Sequence, residues 1–340
     1  MSAEPTSAAE EFESRRGTPL ERVHHTLHAH PSISPALVLV ASAVVFGLIN
    51  SRFVAAANLS LVTQQVAVVG ALAVGQTLVI LTAGIDLSVG AIMILSTMVM
   101  AKSAADHGVP GLFALLLGVA VGILAGALNG ALVTKIGLPP FIVTLGTLSI
   151  FTALALLYSG GQSVQSDKLP SLINWTGKSF KIGSFTITAG VLVMLAIYAV
   201  VGFALSQTAW GKHVKAVGDD AEATRLTGIR VTRVLFSVYV VAGLIYGITA
   251  WILIGRAGAA SPNLGADANL DSITAVVIGG TSLFGGRGGV IGTLLGALIV
   301  GSFRSGLSLA GVDNLYQTLT IGILVIAAVS VDQWIRRIRS

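Results

Sequence analysis

Ten stretches of this chain are apolar over roughly the length a lipid bilayer demands. That repetition constrains the fold more than any single motif. A membrane span needs about 20 mostly apolar residues, with roughly 17–25 as the working range. Such stretches lie near 36–52, 61–82, 87–101, 112–134, 141–158, 188–206, 233–255, 272–284, 289–311 and 315–331, and two of them, 87–101 and 272–284, are short. Only 10% of the 340 residues are charged, against roughly a quarter in a soluble domain, and mean hydropathy is +0.87. Lipid is therefore the solvent, and the expected fold is an all-α polytopic membrane protein of about ten transmembrane helices. Cysteine is absent, which excludes disulfides, thiolate chemistry and Cys-ligated metal.

Residues 1–35 are polar and carry five Glu, with no apolar core ahead of a small-residue cleavage site. They read as a cytoplasmic tail rather than a signal peptide. The distribution of Lys and Arg sets the orientation. With the N-terminus inside, 13 of the 20 basic residues fall on the cytoplasmic side, in groups at 207–233 and after Asp332. The opposite orientation leaves seven there. The expected organisation is a tail at 1–35, a transmembrane domain at 36–332 containing a cytoplasmic loop at 207–232, and a basic cytoplasmic tail at 333–340. Because the formal charge of +5 follows membrane topology, it does not point to nucleic acid.

Spans two to five and seven to ten follow one script. A long apolar helix leads to an Asp that opens a short segment, Asp86-Leu-Ser-Val in one half and Asp271-Ser-Ile-Thr in the other. A helix with glycine at every fourth position follows: Gly118, Gly122, Gly126 and Gly130, then Gly288, Gly292 and Gly296. That spacing puts the glycines on one face, where a neighbouring backbone can approach closely. The halves start on opposite sides, so the repeats are inverted, and their short matched segments point to a transport site near the midplane.

A charge inside a membrane costs on the order of 2.5–3.5 kcal/mol on insertion scales, so each one asks for a reason. Asp86 sits in Gly84-Ile-Asp86-Leu-Ser88-Val-Gly90, where Asp86 or Ser88 suits the start of a helix as a cap. A structural turn is preferred there over solute contact, and Asp271 is read the same way or as part of the pathway. Arg304 either snorkels outward or faces the pathway. The uncharged candidates for a polar pathway are Gln65, Gln76, Asn129, Thr144 and Thr147, which helix-to-helix hydrogen bonds would use equally well. Gly177-Lys178-Ser179 is not a phosphate loop, because Leu172 stands where that motif needs glycine. No span carries the His, Asp or Glu cluster of a membrane hydrolase, so neither catalytic residues nor a metal site are expected.

The loop at 207–232 is polar between two apolar spans. Asp219 and Asp220 are good caps for a two-turn helix through Ala221, Glu222, Ala223, Thr224, Arg225 and Leu226, and Gly228 is a natural stop. On these features the loop is either a docking helix or a solvated connector. Here the sequence resembles a family. Gly218-Asp-Asp-Ala-Glu-Ala-Thr-Arg-Leu-Thr-Gly-Ile is similar to the coupling-loop signature of the ribose/xylose/galactoside-type ABC import permeases. Gly84-Ile-Asp-Leu-Ser-Val-Gly, Leu138-Pro-Pro-Phe-Ile-Val-Thr-Leu-Gly-Thr and Gly279-Gly-Thr-Ser-Leu-Phe-Gly-Gly-Arg-Gly-Gly-Val-Ile-Gly-Thr match the same family in the same order. Asp219-Asp220 stands where that family usually shows Gly-Asn or similar residues, and Arg304 where an uncharged polar residue is common.

The resemblance implies the membrane-spanning subunit of an ATP-driven importer for a monosaccharide or similar polyol, in a bacterial inner membrane. It implies a homodimer, an extracytoplasmic sugar-binding protein, and a separate, double-domain ABC ATPase that holds ATP and Mg and grips Gly218–Gly228. No cofactor is expected on this chain. The alternatives are an ion-coupled secondary transporter, which also favours inverted repeats, and a membrane enzyme acting on lipid.

Overall fold

Inside a bilayer, backbone N–H and C=O groups have no water to bond, so a spanning segment must satisfy them internally, and a helix does so. The computed structural model, which describes residues 33–265 and 267–337, contains thirteen helices among those residues. In chain order they are α1 (Ile33–Ile49), α2 (Ala56–Leu81), α3 (Val89–Ala105), α4 (Gly111–Ala131), α5 (Pro140–Ser159), α6 (Ser171–Asn174), α7 (Ala189–Gln207), α8 (Ala209–Asp219), α9 (Ala221–Leu226), α10 (Val231–Ala257), α11 (Ala268–Ile278), α12 (Val290–Leu309) and α13 (Asn314–Arg337). Ten of these, all but α6, α8 and α9, are the apolar ones. The chain is an all-α polytopic membrane protein.

The span expected at 272–284 is misplaced. Its helix is α11, which starts at Ala268 and stops at Ile278, and Gly279–Gly289 is a turn-rich loop. Eleven residues rise about 16 Å, roughly half of a 30 Å hydrocarbon core, so α11 is a half-helix. α1 begins inside the expected N-terminal tail, at Ile33, and the rest of that tail lies outside the described residues. The expected basic tail is helical as far as Arg337, and residues 338–340 lie outside the described set.

α2 is buried nearly all round from Val66 to Leu81. Helices α4, α5 and α7 turn Leu116, Leu124, Leu145, Val200 and Phe203 outward, as lipid-facing spans do. The packing pattern repeats between halves. α2 lies on α12 as α10 lies on α4, α3 pairs with α4 as α11 pairs with α12, and α3 meets α5 as α11 meets α13. α2 and α10 pack on each other between the halves.

These crossings are close because glycine lets them be. A β-carbon on Gly122 or Gly126 would run into the Gly243 and Tyr239 carbonyls of α10, and one on Gly292 or Gly296 into the Gly279 and Ala275 carbonyls. Gly118 lies against Met100 and the Ser96 carbonyl, and Gly130 against Tyr239 and Phe236. Gly288 does not belong to this ladder. It precedes α12, in the loop, at φ +130° against Thr281; a four-residue count from Gly292 cannot see where the helix begins.

The two long central helices run in opposite directions. The start of α2 meets the segment 160–188, where the Thr186 N–H donates to Ser60 Oγ at 2.8 Å. The end of α10 meets the same segment, with Thr176 Oγ1 donating to the Trp251 carbonyl at 2.7 Å and Trp251 Nε1 to the Leu172 carbonyl at 2.9 Å. That segment is a built cap rather than an open loop. It holds α6, a hairpin of β2 (Ser179–Ile182) and β3 (Phe185–Thr188), and β1 (Val164–Gln165), which pairs with β4 (Ala259–Ala260).

Candidate functional site

On the face opposite the cap, α8 and α9 form a handle. Trp210, Val214 and Val217 recur at helical spacing and set one side of α8 against the bundle, where Trp210 Nε1 donates to Ser237 Oγ at 2.8 Å. The polar intervening residues hid this helix from sequence reading. Asp220 alone caps α9, its carboxylate accepting the Ala223 N–H at 2.9 Å, while Asp219 is the last residue of α8. Gly228, at φ +86°, closes α9 with its N–H on the Arg225 carbonyl at 3.0 Å. Ala221, Glu222, Ala223, Arg225 and Leu226 are exposed, Leu226 at 76%. The hydrogen-bonded Arg225 guanidinium, 2.6 Å from Glu222, holds the Glu222 carboxyl below its ordinary range.

The handle roots in both repeats at once. Gly218 has no room for a side chain, because the Leu81 carbonyl at the end of α2 and the Gly286 amide fill that space. The Gly286 N–H itself donates to the Leu81 carbonyl at 3.0 Å. Asp219 lies against Gly286. The end of α2, the end of α8 and the loop after α11 therefore meet backbone to backbone.

Between α2 and α3 the chain breaks at Ala83, at φ +59°. The buried Asp86 carboxylate accepts both the N–H and the O–H of Ser88, at 2.8 and 2.6 Å. Asn129 Nδ2 on α4 donates to Ser88 Oγ at 2.9 Å, and Thr144 Oγ1 on α5 to the Ile85 carbonyl at 2.9 Å. Gly84 packs on the Tyr239 hydroxyl. The Gly90 N–H donates to Asn269 Oδ1 at the start of α11, joining the first turns of the two short segments. Thr147 bonds within its own helix, to the Thr144 carbonyl. Gln76 is fully buried, and neither of its amide atoms has a partner among the described residues.

Near the cap a cavity of about 450 Å³ is lined by Gln65, Arg256, Asn263, Asp267, Asp271 and Arg304, among others. Arg304 on α12 bonds Asp271 on α11 at 2.7 Å, so it stands on the cavity wall rather than reaching away. Of the polar residues singled out in the sequence, Gln65, Asp271 and Arg304 gather here. Gln76, Asn129, Thr144 and Thr147 do not line it. A second cavity, of about 410 Å³, lies between α3, α5 and α11, and the stretch Asn263–Gly265 walls both. Sequence reading missed Arg256 and Asn269, at helix ends, and Asn263, in the turn between α10 and α11, where a polar residue carries no signal of its own.

An all-helical bundle with two matched helix breaks, a handle on one face and polar cavities at the other has the build of a transport permease. The family model described as branched-chain amino acid transport system, permease component, matches residues 58–329. The fructose import permease protein FrcC of Rhizobium meliloti is 46% identical over 340 residues, covering 99% of this chain and 94% of that protein. The ribose import permease protein RbsC of Bacillus subtilis is 37% identical, with 88% and 92% covered. The D-allose transport system permease protein AlsC of Escherichia coli is 34% identical, with 88% and 91% covered. This chain belongs to that permease family, among the sugar import permeases of ABC systems.

Proposed function

We propose that the chain carries a monosaccharide inward by alternating access, driven by a separate ATPase that grips residues 218–228. The observation that carries this reading is the backbone junction of Gly218, Leu81 and Gly286. A pull on α9 passes through it to the end of α2, beside the break before α3, and to the loop after α11. Leu226, Glu222 and Arg225, exposed on six residues of helix, suit a groove on the ATPase. The placement of Lys135, Lys212, Lys215, Arg225, Arg230, Arg233 and Arg287 toward the handle supports a cytoplasmic handle in a bacterial inner membrane.

The cavity of Gln65, Asp271 and Arg304 is the first station of the solute. Its volume falls in the range of small-molecule sites, and its carboxylate, guanidinium and amide suit sugar hydroxyls. The named substrates of the relatives make fructose, ribose and allose the sugars to try. One handle per chain calls for two copies on a two-site, double-domain ATPase, with a sugar-binding protein feeding the cap face.

Proteoliposomes holding this chain, its ATPase and its binding protein provide the test. Glu222→Ala and Gly228→Val, the latter strained at φ +86°, should insert normally and leave ATP hydrolysis running while uptake falls at least about tenfold. Unchanged uptake in both variants would refute the handle. Uptake that persists without ATP and collapses with an ionophore would favour an ion-coupled carrier instead.

A further inference from the structure

On the handle side, a groove of about 550 Å³ runs between α7 and α12. Tyr198, Phe203 and Leu205 form one wall, Val290, Ile291 and Leu294 the other. Phe203, Ile291 and the neighbouring Val200 are 65%, 70% and 68% exposed, so the groove opens onto the surface that faces lipid. Gly202, Gly279, Gly280, Gly288, Gly289 and Gly292 bring no side chain into it. Lys215 of α8 is its single charged lining residue, and it has no hydrogen bond or ion pair among the described residues. Asp219, one turn further along α8, lies against Gly286 instead.

A half-buried lysine at the edge of an apolar slot, with no ion-pair partner among the described residues, is matched by a molecule with one negative head and a long apolar tail. We propose that this groove is a binding site for an anionic phospholipid, its phosphate on Lys215 and an acyl chain between Phe203 and Ile291. A zwitterionic lipid brings its own cation and gains less from Lys215. The apolar walls are continuous with the lipid-facing sides of α7 and α12, so the lipid enters sideways from the bilayer. The site borders the handle through Lys215 and the loop after α11, but lipid binding there needs neither the ATPase nor a sugar.

The full chain, purified in detergent, is titrated with dioleoyl phosphatidylglycerol or dioleoyl phosphatidylcholine and read by native mass spectrometry. One phosphatidylglycerol per chain should be retained about fivefold better than phosphatidylcholine, the effect expected of one lysine at an anionic surface. Lys215→Gln should bring the two lipids to parity, and Lys215→Arg should keep the preference. Ala199→Trp, which fills the groove, should reduce retention of both lipids. A preference unchanged in Lys215→Gln overturns the proposal. So does a wild-type chain that retains neither lipid, which would leave the groove to a protein segment.

Discussion

Asp271 and Arg304 are each expensive in a bilayer, and together they share one 2.7 Å ion pair across α11 and α12. Removing one partner strands the other's charge, at a cost of about 3–5 kcal/mol for a buried pair. Arg304→Met should therefore lower stability by about 3 kcal/mol, and Arg304→Met with Asp271→Leu should recover most of it, read by thermal unfolding in detergent. A double variant no better than the single would show that the pair is not the cause. Glu222 obeys a different balance, because it is fully exposed. The Arg225 guanidinium holds its carboxyl below the ordinary range, so the support it gives α9 is present above the unfolded value and fades only as pH falls through the lower folded one. Arg225→Gln should return the titration midpoint to the ordinary range, measured by NMR on labelled Glu222. The charges in these pairs were visible in the sequence; the partners were not always so. Glu222 and Arg225 are three apart, within reach on any helix. Asp271 and Arg304 are 33 apart, and Gly90 and Asn269 are 179 apart, where only the fold decides who meets.

At the level of elements, the ten apolar helices were legible because hydrocarbon tolerates little else across a span. What was not legible was where an apolar run stops being helical. The stretch after Ile278 stays apolar enough to pass as a span, yet Gly279, Gly280, Gly285 and Gly286 release it into turns, with positive φ at the last three. α8 went unseen for the opposite reason, since its buried Val214 and Val217 are diluted by Lys212, His213 and Lys215. The glycine spacing marks a face of α4 for close approach, while only the structure names α10 as the neighbour. Gly126→Leu should force α4 away from the Tyr239 carbonyl and sharply reduce the yield of folded protein in size-exclusion chromatography. Gly146→Leu, on α5 with nothing within 4 Å, should leave that yield within about twofold, the behaviour expected of a site away from any packing feature. Equal loss in both would mean that glycine matters here for reasons other than close approach.

At the scale of the whole molecule, the chain offers one handle and no second docking helix among the described residues. A complex assembled with a double-domain ATPase should contain two permease chains for each ATPase chain, which native mass spectrometry or light scattering would count. A one-to-one complex would require another grip elsewhere. The antiparallel course of α2 and α10 reaches further than stoichiometry. Turning such a pair upside down exchanges one half for the other and leaves the core much as it was. Left to themselves, the repeats hold no preference for inward over outward traffic. That preference has to come from parts with no counterpart in the other half, and two are at hand: the folded segment 160–188 on one face and the α8–α9 handle on the other. The vector of transport is thus written in the additions to the symmetry rather than in the symmetry itself.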